Sequence, residues 1–150
     1  MSVAEHLFQS QHNQLVGKLQ GSLTPSAVPV GHTPSHSAVA SSTANVDESS
    51  APATLDGITG VAGDRWLLKD QTDAKENGIY IFNGTGNALT RSTDFDEDVE
   101  IKYGALIYVT EGTVNADTQW KLTSDTVAIG TDNIVFAAAS ADEVADTQNT

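Results

Sequence analysis

The chain has 150 residues, no cysteine and a formal net charge of −13. The absence of cysteine excludes disulfides and thiolate chemistry. A surface this negative repels phosphate groups, which argues against nucleic acids and anionic membranes as partners. No apolar run in the sequence approaches the length of a membrane span.

The beginning of the chain predicts a short helix over residues 2–20. Ser2 and Glu5 have the spacing of a capping box, and Gly21 is a typical residue after a helix end. Polar residues interrupt its apolar stripe, so the helix needs a partner to pack against. The stripe consists of Leu7, Phe8, Leu15, Val16 and Leu19.

Residues 22–52 have a composition that cannot bury enough apolar surface to fold alone. All four prolines lie here, among Ser, Thr, Ala, Gly and His. We predict that residues 1–38 form a helix and an extended docking arm, whose removal leaves the rest of the chain folded. The arm residues expected to contact a partner are Leu7, Phe8, Leu15, Leu19, Pro25, Pro29, His32 and Pro34.

The four histidines all precede residue 40. Metal ligation across subunits is one interpretation of this group. Polar contacts between the arm and its partner are the favoured interpretation, because the Thr33–Ser35 segment with its proline keeps the last two off one regular helical face. The histidines are His6, His12, His32 and His36.

From Leu55 onwards, short apolar runs alternate with turn residues, which predicts a mainly β domain over residues 39–139. We expect a small antiparallel sandwich or barrel-like fold. Asn83 and Gly84 predict a hairpin-type turn. Residues 140–150 are expected to be a solvated acidic tail. The predicted strands cover residues 65–69, 78–82, 88–91, 105–109, 118–123, 127–129 and 134–136.

Four separated motifs resemble a single family. Gly63–Tyr80 (GDRWLLKDQTDAKENGIY) resembles a module of tail-fibre and related virion proteins of phages and prophages. Leu89–Asp94 and Gly112–Trp120 are similar to its middle and third signatures, and Ala44–Gly57 fits its start. The resemblance covers residues 39–137, and several motifs in order are more specific than one short pattern.

The resemblance implies a β-rich module of a virion appendage or surface, with a structural role and no known catalytic one. One copy of the module is present and residues 1–38 lie outside the resemblance, so we expect an attachment element there and no long fibre. No enzymatic activity, catalytic residue or cofactor is expected.

We therefore expect a bacteriophage virion protein that is assembled in the host cytoplasm and binds the major capsid protein or a tail component. Capsid decoration, or a short head fibre, is the favoured role. A tail, baseplate or tail-fibre accessory protein and a host receptor- or glycan-binding module are the alternatives. A homo-oligomer is expected, and a trimer would suit the symmetry axes of a capsid.

One acidic run has a metal-like pattern, with carboxylates at the alternate positions Asp94, Asp96, Asp98 and Glu100. Calcium sites use alternating oxygen ligands in this way. However, Val99 stands where an EF-hand has its glycine, and the bidentate glutamate of that loop is missing as well. A solvated acidic loop is the favoured interpretation, and calcium binding is the weaker one.

Two further groups of residues invite a chemical interpretation. Asp70, Asp73, Glu76 and Asn77 could form an acid–base cluster, but turn capping and hydrogen bonds to the backbone are favoured. Trp66 and Trp120 could stack on a sugar, but their position in apolar strands favours core packing.

Overall fold

The computed structural model describes residues 35–139. Three predicted features lie outside the described residues. They are the helix over residues 2–20, the arm residues expected to contact a partner, and the acidic tail over residues 140–150. Among residues 35–139, no helix is long and apolar enough to cross a membrane.

The described part of the chain is mainly β, as predicted, with several sheets. Two single turns of 3₁₀ helix, Ala74–Glu76 and Asp98–Glu100, interrupt the strands. The strands are β1 (Ser35–Ala38), β2 (Ala40–Ser41), β3 (Thr54–Leu55), β4 (Ile58–Thr59), β5 (Arg65–Leu68), β6 (Gly78–Ile81), β7 (Thr90–Arg91), β8 (Leu106–Val109), β9 (Thr118–Leu122) and β10 (Phe136–Ala138).

The strands form two four-stranded sheets and one small hairpin. Sheet 1 has the order β1-β8-β9-β10, sheet 2 has the order β2-β5-β6-β7, and β3 pairs with β4. Most pairings are antiparallel, but β1 runs parallel to β8 and β2 runs parallel to β5. The prediction of an antiparallel domain is therefore wrong for these two pairs.

The segment of residues 35–42, which we call the seam, is hydrogen-bonded to both sheets. Val39 lies between β1 and β2. Its N–H donates to the carbonyl of Arg65 at 2.7 Å, and its carbonyl accepts from the N–H of Glu111 at 2.8 Å. The predicted boundary between residues 38 and 39 thus falls inside the seam, and removing residues 1–38 would remove an edge strand of sheet 1.

The central strands of sheet 2, β5 and β6, are buried on both faces, whereas its edge strand β7 is exposed or half-buried. Successive side chains of a strand point to opposite faces, so Leu67 of β5 joins an inner cluster beneath sheet 1, whereas Trp66 and Leu68 join an outer cluster. Burial on both faces explains why β5 is a continuous apolar run. The inner cluster also includes Ile79, Phe95, Ile107, Val109 and Leu122, and the outer one Val46, Leu55, Tyr80, Phe82 and Leu89.

Two local predictions are wrong. Residues 127–129 form no strand. The last strand begins at Phe136, because the N–H of Ile134 donates to the carbonyl of Ala74 at 3.0 Å and leaves the sheet ladder. The turn predicted at Asn83 and Gly84 lies in the longer connection, residues 82–89, between the antiparallel strands β6 and β7, where the Asn83 amide donates to the carbonyl of Ala88 at 2.9 Å.

Candidate functional site

Residues 70–78, which we call the signature loop, contain a buried glutamine that holds the start of the module. Gln71 is 7% exposed. Its amide oxygen accepts from the N–H of Val46 at 2.9 Å, and its amide nitrogen donates to the Val46 carbonyl at 2.8 Å. The same nitrogen donates to the carboxylate of Glu48. The side chain thus replaces a strand partner for the backbone of Val46.

Asn77, at the other end of the signature loop, holds two more segments. This residue is 4% exposed. Its side-chain oxygen accepts from the N–H of Gln71 at 2.9 Å, and its side-chain nitrogen donates to the carbonyl of Ile134 at 2.8 Å. The guanidinium of Arg91 donates to the Asn77 carbonyl at 3.0 Å. The loop therefore connects the start of the module, the middle signature and the segment that precedes the last strand.

The 3₁₀ turn inside the loop is capped by Asp73. The Asp73 carboxylate accepts from the Lys75 N–H at 3.4 Å and contacts the Lys75 ammonium at 2.5 Å. This contact lowers the pKa of Asp73 and raises that of Lys75. Both side chains are exposed, so the pair contributes little to stability. These contacts match the expected role in turn capping.

One carboxyl group beside the signature loop, that of Glu48, has a raised pKa. Burial raises the pKa of Glu48, and the neighbouring Glu76 carboxyl raises it further, whereas the amide of Gln71 opposes the shift. Burial also raises the pKa of Tyr80 to about 12, and its hydroxyl donates to the Glu76 carbonyl at 2.7 Å. The Gln71 amide binds the Glu48 carboxylate to the loop, and the Tyr80 hydroxyl binds the loop backbone at Glu76.

Asp56, a residue that the sequence analysis did not single out, holds the third signature. Its carboxylate accepts from the N–H groups of Val114, at 3.0 Å, and of Asn115, at 2.8 Å. The buried amide of Asn115 donates in turn to the carbonyl of Ser42 at 3.3 Å. The Asp-Gly dipeptide that begins at Asp56 is a turn signal, but its distant partner cannot be read from a local pattern.

A second unpredicted cluster surrounds Asp94. Its carboxylate contacts Arg65 Nη1 at 3.0 Å, the Ser92 hydroxyl at 2.6 Å and His36 Nδ1 at 3.3 Å. Partial burial would raise the pKa of Asp94, but the hydrogen bonds from Arg65 and Ser92 outweigh it and lower the pKa to about 2. Ser92 is bonded to Asp94 and not to His36, which is not the order of a nucleophilic triad.

The structure does not bring the four predicted calcium ligands together. Asp94 belongs to the Arg65 cluster, and Asp98 accepts from the N–H of Ile129 at 2.9 Å. Glu100 accepts from the N–H of Asp96 at 3.1 Å and caps the 3₁₀ turn. Within residues 35–139, no group of three or more acidic or histidine side chains could hold a metal ion.

The two tryptophans differ in burial. Trp66 is fully buried and stacks on Phe82 with ring centroids 4.4 Å apart. The favoured prediction of core packing is therefore confirmed for Trp66, and the weaker one of sugar stacking is wrong. Trp120 is half-buried, and its indole N–H donates to the Thr118 hydroxyl at 2.9 Å. The Lys69 ammonium lies 4.2 Å from the Trp120 ring centroid. A sugar at Trp120 would have to displace this cation.

No protein-family model, no curated protein and no solved structure matches the chain.

Proposed function

We propose that the chain is a structural protein of a bacteriophage particle, which decorates the capsid or forms a short head fibre. The observation that carries the proposal is the role of the residues that resemble the virion module. Gln71, Asn77 and Arg91 all hold distant segments of the fold together. Such residues encode a rigid building block, which is what the resemblance implies.

The seam supports a docking role for the preceding segment. In this proposal, residues 1–34 bind the major capsid protein and residues 35–139 form a small β-sandwich that projects from the shell. A load on the docking segment would pass into β1, which is paired with β8 along its whole length. The net charge of −13 suits a protein that is displayed in many copies, because like charges keep neighbouring copies apart.

Localisation on purified particles by cryo-electron microscopy tests the proposal. We expect density of the size of residues 35–139 at regular positions over the capsid, which disappears in particles from a strain that lacks the gene. Density at the tail would favour the tail or baseplate alternative. Absence of the protein from purified particles would overturn the proposal.

Re-addition of the purified protein to the deficient particles tests the docking segment. The full chain should restore the density, whereas a chain that begins at residue 35 should remain folded and fail to bind. Circular dichroism of the shortened chain supplies the folding control. Equal binding of both chains would show that the β-domain, and not residues 1–34, makes the attachment.

A further inference from the structure

A groove of about 460 Å³ lies far along the chain from the signature loop, between residues 98–103 and residues 125–127. Ile101 and Val127 are buried side chains that line it. Tyr103 also lines the groove and is 54% exposed. The ammonium of Lys121 lies 5.3 Å from the centroid of the Tyr103 ring. The groove thus combines an apolar lining with an accessible aromatic ring.

Four of the five polar side chains that line this groove make no hydrogen bond or ion pair within the described residues, and the fifth, Asp98, accepts from the N–H of Ile129 at 2.9 Å. Within residues 35–139, no hydrogen bond or ion pair joins the side chains of Lys102, Tyr103, Asp125 or Thr126 to another residue. They comprise an ammonium, a phenol hydroxyl, a carboxylate and an aliphatic hydroxyl, so both donors and acceptors are available. The buried polar side chains of the signature loop, by contrast, have protein partners.

We propose that the groove binds a neutral hexose, as a unit of a surface carbohydrate. One face of a pyranose ring is apolar and packs on an aromatic ring. Tyr103 provides such a ring, and a sugar on its cation-bearing face would displace the Lys121 ammonium, which lies farther from the ring centroid than Lys69 does from that of Trp120. The hydroxyls of the sugar need convergent donors and acceptors, which Asp125, Thr126 and Lys102 provide. Asp98 and Asp125 also line the groove, and their charge disfavours uronic and sialic acids. The groove would bind the sugar in the same way at any position of the protein on a particle.

Saturation-transfer NMR with the full chain and single neutral hexoses, followed by calorimetric titration, tests the site. Tyr103→Ala should weaken binding about tenfold, the effect of losing one good aromatic contact. Tyr103→Phe should bind within about threefold of the unaltered chain, because the ring remains. Asp125→Asn should weaken binding, since a charge-assisted hydrogen bond is lost.

Tyr108→Ala is the matched control. Tyr108 is also an exposed tyrosine, but it lies on β8 outside the groove, with its hydroxyl bonded to Asp117 at 2.8 Å. This variant should bind the sugar as the unaltered chain does. The proposal is overturned by the absence of saturation transfer from the full chain, by equal losses in Tyr108→Ala and Tyr103→Ala, or by tighter binding of a uronic acid.

Sedimentation velocity of the same variants tests whether a second copy of the chain, and not a sugar, occupies the groove. If Tyr103→Ala changes the oligomeric state and no hexose binds, the groove is an interface between copies of the chain and the carbohydrate proposal is wrong. An unchanged sedimentation coefficient together with lost sugar binding supports it.

Discussion

The signature loop and the groove differ in what their polar side chains contact. In the loop, buried amides such as Gln71 and Asn77 each bind backbone groups from distant segments. In the groove, Asp125 and Thr126 bind no other residue of the described part of the chain. The residues that look most like a reactive site in the sequence therefore build the fold, and inconspicuous residues form the accessible surface.

The largest expected effect comes from the two tryptophans. Trp66→Ala should lower the free energy of unfolding by about 3–5 kcal/mol, because it empties a fully buried site. Trp120→Ala should cost about half as much, since the ring is half-buried. Urea denaturation followed by far-ultraviolet circular dichroism measures both values. Equal losses would contradict the difference in burial.

The second largest effect is the difference in stability between two shortened chains. A chain that begins at residue 39 lacks β1 and the His36–Asp94 contact, whereas a chain that begins at residue 35 keeps both. We expect the shorter chain to be less stable by about 3 kcal/mol, from several lost backbone hydrogen bonds at about 1 kcal/mol each. The measurement is the urea midpoint of each chain. Identical midpoints would show that β1 is dispensable.

Asn77→Ala and Asp125→Ala compare the loop with the groove directly. Asn77→Ala leaves the N–H of Gln71 and the carbonyl of Ile134 without their partners, which should cost about 2–3 kcal/mol. Asp125→Ala removes no protein contact and should change stability by less than about 0.5 kcal/mol. Thermal unfolding of both variants measures the difference. A large loss in Asp125→Ala would place this residue in the structural framework.

The smallest effect concerns pH. The pKa of Asp94 falls from 3.8 to about 2 in the folded state, so its contacts stabilise the fold above pH 4 and are lost as the pH falls towards 2. The carboxylate is half-exposed, and solvent screening reduces the contribution to about 1 kcal/mol. Between pH 5 and pH 2, the free energy of unfolding should fall less steeply in the Asp94→Asn variant than in the unaltered chain. Parallel curves for the two chains would mean that Asp94 is not the titrating group.

Strands with a continuous or alternating apolar pattern were predictable from the sequence, whereas short strands of small residues were not. The predicted runs at 65–69, 78–82, 105–109 and 118–123 match β5, β6, β8 and β9 within one residue at each end, because their apolar side chains fill the two clusters. β1 and β2 are short and contain mostly Ser and Ala. Their pairing depends on the distant strands β8 and β5, which no local pattern reveals.

The same limit applies to the candidate sites. Turn capping by Asp73 follows from neighbouring residues and was predicted. The partners of Asp56 and His36 lie 58 residues away, so their contacts depend on tertiary structure. The four alternating carboxylates resemble a set of calcium ligands in the sequence. In the folded chain Glu100 caps the 3₁₀ turn, and the other carboxylates do not converge with it on one point.

The seam has a consequence for the order of folding. β1 pairs with residues about seventy positions later, so the loop that this pairing closes contains most of the domain. Contacts of such long sequence separation slow folding. On the ribosome, sheet 1 cannot acquire its first strand until Leu106–Val109 has been synthesised and has emerged. Completion of sheet 1 is therefore expected to be a late step, and chains released before it should contain all the residues of the outer cluster but lack much of the inner one.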